Sequence, residues 1–169
     1  YGKQQKVGNL GSVQRDFNLL GNVSLENGME KLHYTVNNGT PVSLNYGRDS
    51  LFGDHRRLAH YGDFNADIPV DSLKPGDNVI TIYAEDTTGH SNTKRVVVDK
   101  QTGETPLPAH INWQKSDNIQ DIAQVIDGKW QLTGYGIRPV ETGYDRIVAM
   151  GNAHWKNYEA TFSVVVHDF

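Results

Sequence analysis

Seven histidines and twenty acidic residues give this 169-residue chain several places where chemistry could be sought. The densest is Asp54-His55 with His60 and Asp63 close behind. Zinc needs three or four ligands converging within about 2.3 Å, and two histidines five apart on an aperiodic loop have no fixed geometry. A polar surface loop is the better reading. Asp63 and Asp86 are oxygen donors of the kind calcium takes six to eight of. An aspartate heading a turn, however, ordinarily accepts hydrogen bonds from the backbone N–H groups that follow it. No cofactor and no metal is assigned, calcium being the one ion these turns suit. Glycoside hydrolysis requires two carboxyl groups about 5.5 Å apart, or about 6.5–9.5 Å for inversion. Glu141 and Asp145 are spaced four apart, but Gly143 lies between them in a stretch that reads as a loop. No catalytic residue is assigned, and the chain holds no nucleophile elbow, P-loop or dinucleotide fingerprint.

Aromatic side chains offer a different chemistry, stacking on apolar ring faces with hydrogen bonds at the rim. Trp113, Trp130, Trp155, Tyr135, Tyr144 and Tyr158 all fall in the last third of the chain. Trp130 and Trp155 sit beside strand-like alternation and read as core. Tyr135, Tyr144 and Arg146, flanked by glycines, are the candidates for exposed ligand contacts.

The elements that must position these residues are strands. Gly, Asn and Asp punctuate the chain every eight to twelve residues, with short runs rich in Val, Ile, Thr, Tyr and Phe between them. Phe64, Ala66, Ile68 and Val70 alternate onto one face. Residues 79–98 read as a hairpin, Leu32–Val36 as a strand ending in an Asn37-Asn38-Gly39 turn, and Ala160–Val166 as a final strand. Residues 120–126 suit one helical turn, in competition with a hairpin around Asp127-Gly128. Residues 100–109, with two prolines and no periodicity, read as a linker. The division is therefore an extension over 1–9, a sandwich over 10–99, the linker, and a second unit over 110–169. Sixteen basic against twenty acidic residues exclude a polybasic nucleic-acid binder, and the absence of cysteine excludes a disulfide framework. Apolar runs such as Val96–Val98 and Val164–Val166 are far short of the roughly 20 residues that span a bilayer. Tyr1 in place of an initiator Met reads as a processed product or a fragment.

Leu73-x-x-Gly76-x-Asn78-x-Ile80-x-Ile82-x-Ala84-x-Asp86-x-x-Gly89 resembles the closing hairpin of bacterial immunoglobulin-like domains. Asp127-Gly128-x-Trp130-x-Leu132, Gly143-Tyr144-Asp145-Arg146 and Trp155-x-x-Tyr158-Glu159-x-Thr161 resemble the opening strands of concanavalin A-like (laminin-G-like) jelly rolls. The fold expected is all-β: an Ig-like β-sandwich followed by a partial jelly-roll β-sandwich with an open edge. The resemblance implies a non-catalytic module of a secreted or cell-surface bacterial protein, a spacer that binds polysaccharide, a cell-surface glycan or a neighbouring protein chain. Two alternatives remain open: the N-terminal portion of a polysaccharide-active enzyme whose catalytic residues lie beyond 169, or a subunit of an extracellular assembly completed by neighbouring chains.

Overall fold

The computed structural model of the protein describes residues 1–11, 14–24, 26–46, 58, 60–143 and 146–166. Its strands are β1 (Gln4–Val7), β2 (Asp16–Asn22), β3 (Met29–Val36), β4 (Val42–Ser43), β5 (Asp63–Pro69), β6 (Gly76–Asp86), β7 (Ser91–Lys100), β8 (Gln124–Asp127), β9 (Trp130–Thr133), β10 (Gly136–Pro139) and β11 (Ile147–Ala149). The all-β expectation holds. Among the described residues the only helical pieces are three single 3-10 turns, and no helix is long and apolar enough to cross a membrane.

The first unit is a sandwich. A five-stranded sheet in the order β1-β7-β6-β3-β4 faces the antiparallel pair β2-β5. The alternation of β5 does what its period demands, sending Phe64, Ala66 and Ile68 inward onto Phe17 and Leu19 of β2 and Leu32, Ile80, Ile82 and Val98 of the larger sheet. The 79–98 hairpin is present and longer than expected, with β6 and β7 paired from Gly76↔Lys100 to Glu85↔Ser91. Asn37 and Asn38 both take the left-handed conformation, φ 51° and 60°, in the turn that carries β3 towards β4.

Three expectations change. Residues 1–9, read as an extension, carry β1, which pairs in parallel with β7 from Gln4↔Val97 to Val7↔Lys100 and puts Val7 into the core. Residues 101–105, within the stretch read as a linker, are tied down: the backbone N–H of Gln101 donates to the Val7 carbonyl (2.9 Å), that of Gly103 to Gly8 (2.8 Å), and the Thr105 hydroxyl to Leu10 (2.9 Å). Ala160–Val166 forms no strand: its residues are exposed and, among the described residues, pair with no other strand.

Beyond residue 110 the strands are only three or four residues long and pair two by two, β8 with β11 and β9 with β10. Residues Ile119–Asp121 make a 3-10 turn and Asp127-Gly128 a corner with φ +80° at the glycine, so both competing readings of 120–130 are half realised. The strands flanking that corner pair elsewhere rather than with each other. Their core is small: Ile119, Ala123 and Val125, with half-buried Trp130, Ile137 and Val148 packed on it.

Candidate functional site

Among the described residues, one edge of β5 pairs with β2 and the other meets the chain at the bridge Tyr46↔Phe64. Between that edge and β4 runs a groove of about 190 Å3, lined by Tyr34, Ser43, Asn45, Leu58, Asn65 and Asp67. Its composition follows from alternation. Phe64, Ala66 and Ile68 point into the core, so Asn65 and Asp67 lie on the opposite face, Asn65 buried and Asp67 exposed, and Tyr34 reaches the groove from the core side. The Asn18 amide on β2 donates to Asn65 Oδ1 and to Asp67 Oδ1 (3.0 Å), which holds both side chains in place. Burial, then the carboxylates of Asp67 and Asp16, push the Tyr34 phenol pKa up. It therefore stays a neutral hydroxyl, able to donate and accept.

Tyr61 lies in the turn that leads into β5. It is 72% exposed and packs edge-on against Tyr46 with ring centroids 6.4 Å apart. The turn that presents it is locked: Asp63 N–H donates to the His60 carbonyl (3.2 Å), His60 N–H to Asp63 Oδ2 (2.8 Å), and the Asn22 amide to Asp63 Oδ1 (2.8 Å) and the Tyr61 carbonyl (3.2 Å). Gly62 has φ +83°, and a Cβ there would collide with the Val23 carbonyl, whose residue pairs back to Gly62. Only glycine fits, and the tyrosine beside it has no route into the core. His60 lies 3.5 Å from Asp63 Oδ2 and 3.8 Å from Glu141 Oε1, which brings a residue of the second unit to the rim of the site. An exposed aromatic face in the turn before β5 and a polar, hydrogen-bonding groove along that strand offer two kinds of contact, stacking on a ring and gripping hydroxyl or amide substituents. At about 190 Å3 the groove is smaller than the roughly 300–1,000 Å3 of drug-sized pockets, so it suits one small unit of a longer ligand.

No family model, curated protein or solved structure matches this chain.

Of the three candidate contacts picked out from sequence, the two described, Tyr135 and Arg146, lie apart. Tyr135 is 90% exposed at the tip of the β9–β10 hairpin. Arg146 folds onto Gly128 and donates from Nε to the Glu141 carbonyl (3.2 Å), at the base of that hairpin. Base and tip are separated by the length of β9, about 10 Å at 3.3 Å per residue. Tyr144, Asp145, Asp54 and His55 lie outside the described residues. Trp130 and Trp155 are half-buried; their indole N–H groups donate to the Asp127 and Thr105 carbonyls, both at 2.8 Å. Among the described residues no group of three His, Asp or Glu side chains converges as a metal site. Tyr61 was missed. Its signal was present as a large aromatic directly before Gly62-Asp63, a turn pair that leaves no strand face for it to enter.

Asp86 works as a turn brace. One carboxylate oxygen accepts from Thr88 N–H (2.9 Å), the Thr88 hydroxyl (2.7 Å) and His90 N–H (2.9 Å), and the other from the Asn27 amide (3.1 Å). The Thr88 hydroxyl first, and then Asn27 and the two backbone N–H groups, outweigh the opposing effect of burial and hold this carboxyl well below the usual range. A depressed carboxylate pKa contributes stability that is complete above the ordinary value of about 3.9 and drains away as pH falls from there towards the lowered one. Asp86→Asn is therefore expected to lower Tm by several degrees at pH 7, with the gap to the parent closing below pH 4. Thermal melts across that range check it; a gap that stays constant down to the acid limit would contradict it.

Proposed function

We propose that this chain is a non-catalytic module of a secreted or cell-surface bacterial protein, a spacer that also binds a glycan, with the groove along β5 as the contact surface. The observation that carries the reading is Tyr61, an exposed ring fixed on a braced turn two residues before β5, the strand whose Asn65 and Asp67 line a polar groove. Binding surfaces favour such rings because a tyrosine supplies contact area at little cost in side-chain entropy. Neutral donors and acceptors at Tyr34, Ser43 and Asn45, with the acceptor carboxylate of Asp67, match the hydroxyl groups of a sugar. The resemblance of the β6–β7 hairpin to bacterial immunoglobulin-like domains, and of 110–169 to the start of a concanavalin A-like jelly roll, supports the same setting.

Affinity electrophoresis against a panel of soluble polysaccharides tests it. Tyr61→Ala should weaken retention on the bound polymer roughly tenfold, the scale of one aromatic contact, with unchanged melting because the ring is exposed. Tyr135→Ala should leave retention intact. Retention lost only with Tyr135→Ala would move the site to the second unit, and no retention by any polymer would remove the glycan reading.

A further inference from the structure

The segment Thr161–Val166 is the most exposed apolar stretch described: Phe162 is 75% exposed, Val164 and Val165 72%, and Val166 60%. It enters no strand, yet its composition is that of one, with five of its six residues of high β propensity and no charge. The five-stranded sheet guards its own edges. The stretch of β7 that runs beyond its pairing with β1 carries Lys94 and Arg95, and β4 at the opposite edge is two residues long. Thr161–Val166 has neither protection.

We infer that Thr161–Val166 is a homotypic assembly strand, pairing antiparallel with the same segment of a second copy of this chain. Charge favours the second copy as occupant, since a neutral strand meets its own image without repulsion and an isologous pair requires only self-complementarity. The period of two fixes the register. In an extended strand Ala160, Phe162, Val164 and Val166 share one face, and Thr161, Ser163 and Val165 the other. An antiparallel pair centred on Ser163 keeps both apolar faces on the same side and sets Phe162 opposite Val164 of the second copy, a favourable aromatic–β-branched pair. The same register leaves Glu159 outside the run from 160 to 166. A lone two-stranded ribbon is marginal in water. Pairs therefore stack through the Phe162, Val164 and Val166 face, and assembly continues past the dimer.

The parent chain has no cysteine, so a single introduced thiol reports register directly. Directly opposite residues have Cβ atoms about 4.5–5.5 Å apart, close enough for a disulfide after small adjustment. Ser163→Cys should therefore form a disulfide-linked dimer rapidly on mild oxidation. Thr161→Cys places its thiols about 14 Å apart, four residue steps at 3.4 Å, and should cross-link at least tenfold more slowly. Light scattering should show the parent rising above 18.9 kDa with concentration, and Val164→Lys, which alters an exposed side chain in no contact with the core, should hold it at one copy. A parent that stays at 18.9 kDa at the highest soluble concentration, equal cross-linking rates at 161 and 163, or unchanged association in Val164→Lys would each overturn the proposal. None of these readouts depends on glycan binding.

Discussion

Asn78→Ala is expected to destabilise the first unit by about 3–5 kcal/mol and lower its Tm by roughly 10 °C or more, even though asparagine is a polar residue in a stripe of isoleucines. Asn78 is fully buried at the start of β6. Its amide shares two hydrogens among the carbonyls of Lys74 (2.8 Å), Gly76 (2.8 Å) and Val98 (3.3 Å), and its oxygen accepts from Lys74 N–H (3.0 Å) and from the Asn37 amide (2.8 Å). Asn37 in turn accepts from Val79 N–H (2.9 Å). One side chain thus ties the turn at 73–78, the last inward valine of β7 and the turn after β3. Alanine leaves these donors and carbonyls buried without partners, each costing about 1–3 kcal/mol before relaxation. Asn78→Asp should be worse at pH 7, since it turns the donor end into a carboxylate aimed at carbonyl oxygens, and it should recover in part when acid protonates it. Chemical denaturation of the three proteins decides the matter. A cost below 1 kcal/mol for alanine, or an aspartate milder than alanine, would show that the network is not what holds this turn.

That residue also shows what the sequence disclosed and what it hid. The inward stripe of β6 reads Asn78-Ile80-Ile82-Ala84-Asp86, apolar in the middle and polar at both ends. The middle is legible because period-2 burial is local. The ends are legible only as parts of a turn motif, since Asn78 and Asp86 are explained by which backbone groups they reach. Strands that pair across long distances left weaker traces. Gln4–Val7 has one inward apolar residue beside the buried Gln5, and its partner lies more than ninety residues away. Likewise β8 and β11, at four and three residues, are too short to display a period. The candidate site was half visible. The alternation of Phe64, Ala66 and Ile68 announced the inward face of β5, but the groove depends on β3, β4 and β5 being brought together, a property of topology that no local pattern carries.

Removing residues 1–9 is the second change expected to have a large effect, because this segment joins the two units as well as completing the first. On one side β1 adds Val7 to the main core. On the other, Lys6 N–H donates to Gln120 Oε1 (3.1 Å), the Gln120 amide to Gln5 Oε1 (3.3 Å), the Asn9 amide to the Gln120 carbonyl (2.8 Å), and Trp130 N–H to the Tyr1 hydroxyl (2.7 Å), with Lys6 paired to Asp121. Among the described residues the only buried apolar side chains of the second unit are Ile119, Ala123 and Val125, and its sheets have two strands each. A core that small does not outweigh the entropy of ordering some forty residues, so its order is borrowed from the strap. Amide exchange is the direct measurement. The truncated protein should lose protection over 119–149, while β3, β5 and β6 stay protected at reduced stability through the loss of Val7. Gln120→Ala should give a milder form of the same result, about 1–3 kcal/mol, the cost of leaving Lys6 N–H and Gln5 without their partner. Full protection of 119–149 in the truncated chain would show that the second unit orders itself and that the strap only docks it.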